Sequence, residues 1–268
     1  MRVVVIERAR RQAVTSVLLM ICLIMPAAPS HAATCDLPEQ GTGRVADVLD
    51  IRTLRMTDGA EIRLAGIEPA PGEDSSAAAA ALVIGRDVTL HGDSDMPDRY
   101  GRQPALVVLG ADVPSLQFQL LAQGAVLASG TLTDRACAAE LAAVEAAARH
   151  ARRGIWARDG IIKNAAIPGD ILAELGRFVV AEGRIVSVRE AGTTTYLNFG
   201  RRWTRDFAVT ISRRMVAAFT GAGMMLKPLE KRRVRVRGWV ESRGGPRIEI
   251  RHLGQIEVVG DERTAGRE

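Results

Sequence analysis

Histidine is scarce in this chain, four residues in 268, and the four are scattered at His31, His91, His150 and His252. None sits at a zinc-binding spacing, so the pattern argues against a tetrahedral His/Cys metal centre. Cysteine is scarcer, three residues, and Cys137 has no histidine near it in sequence to act as a base for a thiol nucleophile. No nucleophile elbow, P-loop or dinucleotide fingerprint occurs, which leaves those enzyme classes without support. Long apolar runs are also missing. The run Ala13–Met25 has 13 residues, short of the roughly 20 that a membrane helix needs, and no other segment could cross a bilayer. No low-complexity stretch or long repeat stands out.

That one apolar run reads as part of an export signal. Arg2, Arg8, Arg10 and Arg11 precede it, and "APSHA" follows it with a small-residue cleavage site ending at Ala32. The alternative is an uncleaved anchor. Removal of residues 1–32 leaves two cysteines, Cys35 and Cys137. An oxidising compartment would join them across a loop of about 100 residues, constraining the unfolded chain by about 4–5 kcal/mol. Two free thiols are the other reading.

Charge separates the mature chain into halves. Residues 33–157 carry 11 basic and 17 acidic side chains, a net of −6, whereas residues 158–268 carry 21 and 13, a net of +8. The basic half calls for an acidic partner such as nucleic acid or an anionic surface.

Periodicity predicts strands over "GRVADVLD", "TLRMTD" and "AEIRLAGI", with a hairpin turn at Thr57-Asp58-Gly59. A helix follows over "SSAAAAALVIG", with Ser75 or Ser76 as N-cap. Two more strands, "DVTLHG" and "QPALVVLG", lead to helices from Pro114 to Gly124 and from Thr133 or Asp134 to Gly154. Residues 158–176 read as a connector. Beyond it, three strands, a helix and further strands follow the order of an OB-type barrel. The expected fold is therefore mainly β with helices: a small OB-like five-stranded barrel with packed helices over 41–157, and a second OB-like barrel over 177–260. A tail covers 261–268.

Four pieces of the first half carry a resemblance: the "VLDIRTLRM" and "EIRLAGIEPA" hairpin, "DRYGRQPALV", "LLAQGAVLA", and "AAELAAVEAAARHARRGIW". Together they resemble the thermonuclease-like staphylococcal nuclease family over about 115 residues. The second half is similar to OB-type domains attached to some such nucleases. The resemblance implies Ca²⁺-dependent cleavage of DNA and RNA, in which acidic residues hold the ion, a glutamate activates water and two arginines clamp the phosphate.

Arg63 and Arg102 fall on the two phosphate-binding positions, with Tyr100 in the same "DRYGR" motif as Arg102. The alternative for each arginine is an ion pair with a nearby acid, such as Glu61 or Asp98. The acidic positions depart from the pattern. Arg52 stands in "DIRT" where the family has a metal-binding aspartate, Glu68 replaces the second such aspartate, and Pro71 falls where the catalytic glutamate belongs. A unit positive charge 4 Å from a divalent ion is repelled by about 8 kcal/mol at an effective dielectric of 20. No metal site is therefore expected, and Ca²⁺ would bind only if Glu68 and Asp50 sufficed. Arg52, Arg63 and Arg102 are expected to form a phosphate cradle. With Glu68 or Glu73 as the only candidate base, hydrolysis would be slow or absent. Glu73 and Asp74 are equally explained as first-turn acids of the Ala-rich helix.

In the second domain, "YLNFGRRWTRDF" sets Arg201, Arg202 and Trp203 among Tyr196, Phe199 and Phe207, of which at least two are expected in the core. "KRRVRVRGWV" places Arg233, Arg235 and Arg237 on one strand face, expected to be a basic outer face. Both stretches suit single-stranded DNA or RNA. The leading expectation is an exported protein that binds nucleic acid or another phosphodiester. The alternatives are an active nuclease using Glu68 or Glu73 with an altered or absent metal, and an envelope interaction module that binds no nucleic acid.

Overall fold

The computed structural model describes residues 35, 37–110 and 113–260. The expected signal and the tail lie outside the described residues.

The first unit contains β1 (Glu39–Asp50), β2 (Thr53–Met56), β3 (Glu61–Leu64), β4 (Ile67–Glu68), α1 (Ser76–Val83), β5 (Asp87–His91), β6 (Gln103–Val108), α2 (Leu116–Gln123), β7 (Leu127–Ala128) and α3 (Arg135–His150). Strands β1-β2-β3-β6-β5 close a barrel. One strand makes both ends of the closure. β1 pairs through Glu39–Arg44 with β5 and through Val45–Asp50 with β2. Register shifts along it bend the strand so that it can serve both neighbours. Alternating residues Val45, Leu54, Ile62, Leu64 and Val107 fill the interior, and α2 adds Leu120 and Leu121. Asp134 caps α3, its Oδ1 accepting from the Cys137 N–H at 2.7 Å. The helix ends at His150, before Gly154, which opens a short 3-10 turn. Cys137 is joined to Cys35 by a disulfide.

The second unit runs through β8 (Ile162–Asn164), α4 (Pro168–Leu172), β9 (Phe178–Arg184), β10 (Ser187–Ala191), β11 (Thr194–Asn198), β12 (Ala208–Ser212), α5 (Arg213–Gly221), β13 (Arg233–Arg243), β14 (Gly245–Ile250) and β15 (Ile256–Val258). Its pairings repeat those of the first. β9 and β10 act as two halves of one interrupted strand, one pairing β13 and the other β11. β11 then pairs β12, β12 pairs β14 in parallel, and β14 returns to β13. Even the helix keeps its place, after the third strand. Phe199 and Phe207 pack in this core with ring centroids 5.0 Å apart.

The segment read as a connector does more than connect. β8 adds in parallel to β9, and α4 buries Ile171 completely. Its Gly and Pro residues mask a short strand that gains its stability only by pairing.

The two units pack as one body. Ala70, Leu127, Ala148, Ile155 and Trp156 of the first form a shared apolar cluster with Phe178 and Val180 of the second. Gly130 and Gly254 meet backbone to backbone. Gly130 has φ +68°, and a Cβ there would run into the Gly254 carbonyl. Only glycine fits that contact.

Candidate functional site

Three backbone segments converge at one end of the first barrel. The turn after β1 carries Arg52, β3 carries Arg63, and β4 carries Glu68. The β2–β3 register sets Arg63 opposite Thr53, beside Arg52. The parallel β3–β6 register sets Ile62 opposite Gln103, which brings Arg102 to the same end.

Glu68 is the centre of this group. Its side chain is 8% exposed; Oε2 accepts from Arg52 Nη1 and Oε1 from Arg63 Nη2, each at 2.6 Å. Both carboxylate oxygens are thus engaged by guanidinium groups. Each guanidinium carries five N–H donors, and one from each is used on Glu68, so most of that donor capacity has no hydrogen-bond partner among the described residues. Burial lowers the pKa of Arg63, Glu68 raises it, and Arg52 and Arg102 lower it again, leaving it below the ordinary arginine value. Arginine stays charged regardless.

Arg102 takes the ion-pair alternative. Its Nε and Nη2 donate to Asp98 Oδ2 at 3.0 and 2.8 Å. Burial raises the Asp98 pKa, but hydrogen bonds from Arg102 and from the Tyr100 N–H outweigh it and hold the carboxyl below its usual range. Tyr100 is exposed, with the Arg99 and Arg102 cations over its ring at 4.9 and 5.1 Å. The motif is therefore a loop braced by the Arg102–Asp98 pair.

The calcium ligands implied by the resemblance do not fit these residues. Asp50 accepts from the Arg52 N–H at 2.7 Å and from the Thr53 hydroxyl at 3.2 Å, so it closes its own turn. Glu68 is flanked by two cations. Among the described residues, no group of three or more His, Cys, Asp or Glu could hold a metal ion.

Other expected site residues lie elsewhere. Glu73 is paired with Arg158 at 2.6 Å, outside the Arg52–Glu68–Arg63 bridge. Arg235 is a correction. It is 7% exposed and bound to Glu182 at 2.7 Å and Glu257 at 3.2 Å, and Arg237 beside it is 2% exposed. The expected outer face of β13 is thus turned inward at Arg235 and Arg237, whose guanidinium groups are held by Glu182, Glu257 and Glu145, while Arg233 at the start of the strand stays half-exposed and pairs with Glu182. Arg201, Arg202 and Trp203 do sit on an exposed loop between β11 and β12. Trp203, 74% exposed, borders a cleft of about 370 Å³ that is also lined by Tyr196, Asn198 and Arg247. No contact links that loop to Arg52, Arg63 or Glu68 among the described residues.

Residues 49–158 match the family model described as Staphylococcal nuclease homologue. This nuclease-like region contains the whole cradle: Arg52, Arg63, Glu68 and Arg102. No curated protein matches the chain.

One member of the site was missed from sequence. Trp239, on β13 of the second unit, has the Arg52 guanidinium over its ring at 5.7 Å. The signal was present in "VRVRGWV": alternation places Trp239 on the same face as Arg235 and Arg237, and only the inward turn of that face was not legible.

Proposed function

We propose that this is an exported, nuclease-like protein that binds single-stranded nucleic acid, or another phosphodiester, without metal-dependent hydrolysis. The carrying observation is the Arg52–Glu68–Arg63 bridge, two 2.6 Å ion pairs to one carboxylate. It supports binding because it fixes two guanidinium groups with unspent donors toward one point, the arrangement that suits phosphate oxygens. It argues against the hydrolytic alternative because both carboxylate oxygens are already occupied by guanidinium N–H donors, which leaves neither turned to a water or a metal ion. The attached β-unit, read as an OB-type module, adds the basic balance that favours a polyanion.

Oligonucleotide cleavage assayed with Ca²⁺, Mg²⁺ and Mn²⁺ tests the reading. No turnover above a metal-free control is expected for the folded protein. Metal-dependent cleavage that co-purifies with the chain, and is lost in Arg63→Ala, overturns it.

A further inference from the structure

The second unit reaches the cradle through Trp239, and the route is fixed at every step. Arg237, two residues earlier on the same face of β13, donates from Nη1 to the Ala128 carbonyl at 2.6 Å and to Glu145 Oε2 at 2.9 Å. Glu145 Oε1 accepts from the Ala128 N–H at 3.0 Å. The buried pair therefore grips Ala128 by both its backbone groups. Ala128 belongs to β7, which pairs with β4, where Leu127 lies opposite Glu68. From Glu68 the chain of contacts passes to Arg52 and from Arg52 to the Trp239 ring. This closed circuit sets the indole against the cradle with no loop in between.

Its exposure is unusual for its place. Trp239 is 45% exposed, while Arg237 and Val240 on the same strand are 2% exposed each. Phe178 supports it, with centroids 6.1 Å apart and rings at 77°. An apolar ring that is held rigidly, left half in water and placed beside an anion-seeking arginine suits a ligand that is both aromatic and anionic. We propose that Trp239 is a stacking wall for an unpaired nucleobase whose phosphate lies on Arg52 and Arg63, which makes the binding site a composite of both units. A base sits one sugar away from its phosphate, and stacking on indole tolerates any base but needs it unpaired. A single strand satisfies both conditions; a duplex, with its bases stacked inward, does not. This inference rests on the cradle being the phosphate site.

The test compares the full chain, Trp239→Ala and Trp239→Phe, by fluorescence anisotropy, with labelled oligothymidylate and with an abasic oligomer of equal length. The Trp239→Ala change is expected to weaken oligothymidylate binding about tenfold and to leave abasic binding within about twofold, with Trp239→Phe retaining most of the affinity. Equal losses for both oligomers, or none for either, overturn the stacking role. Failure of the unsubstituted chain to bind either oligomer would instead sink the cradle reading. Should Trp239→Ala not fold, indole emission of Trp203→Phe serves, because Trp156 is buried and Trp239 is then the exposed indole. Quenching by oligothymidylate but not by the abasic oligomer supports the proposal, and equal responses contradict it.

Discussion

Arg52 stands where the resemblance calls for an aspartate, and Glu68 meets it with an ion pair instead of meeting a cation from solution. The exchange was legible in "DIRT", because a guanidinium in a metal shell is a two-unit change of charge. Which carboxylate it would choose was not, since Glu68, Glu73 and Asp74 lie within one turn of sequence. Glu182 shows the same economy away from the site. Burial raises its pKa, but hydrogen bonds from Arg233 and Arg235 outweigh burial, and the carboxyl titrates below its usual range. A depressed carboxylate stabilises the fold above its unfolded pKa, about 4.3, and loses that contribution as pH falls through the lower folded value. In urea unfolding, the stability gap between the protein and Glu182→Gln is expected to be constant above about pH 5 and to close below about pH 4. A gap that does not vary with pH over that range would show that the ion pairs contribute nothing.

At the scale of elements, β13 is the joint of the molecule. One face supplies Val234 and Val236 to the second core, and the other delivers Arg237 to Glu145 and Trp239 to Arg52 of the first unit. Removing one partner of a buried pair leaves an uncompensated charge, typically at a cost of about 3–5 kcal/mol. Glu145→Ala is expected to destabilise by that amount, measured by chemical denaturation. The Arg237→Met, Glu145→Leu double change should recover most of the loss, because it removes both charges together. A double change as damaging as the single would mean that the grip on Ala128, and not the charge, carries the energy. The period-two pattern of this strand was readable. What it faces was not, because a basic stripe looks the same in sequence whether it meets water or a buried glutamate 92 residues away.

The whole molecule repeats one architecture. Both units follow the order of long first strand, hairpin, helix and returning pair, with the third and fifth strands parallel. The first barrel was legible strand by strand because its alternation and turn residues are strong. The second unit was legible as a β unit, but β8 and α4 were hidden in a stretch whose Gly and Pro residues suggested a linker. The disposition of the two units was not legible at all. It depends on Gly130 against Gly254 and on the buried Arg237–Glu145 pair, contacts between residues far apart in sequence. The most direct measurement is the affinity for single-stranded oligonucleotide in EDTA and in Ca²⁺, across a salt series. The account predicts equal affinities in the two conditions, a steep loss with salt and a weakening of about thirtyfold in Arg63→Ala, equivalent to about 2 kcal/mol for a charge-assisted contact. Binding that appears only with Ca²⁺, or that is indifferent to Arg63, would contradict it.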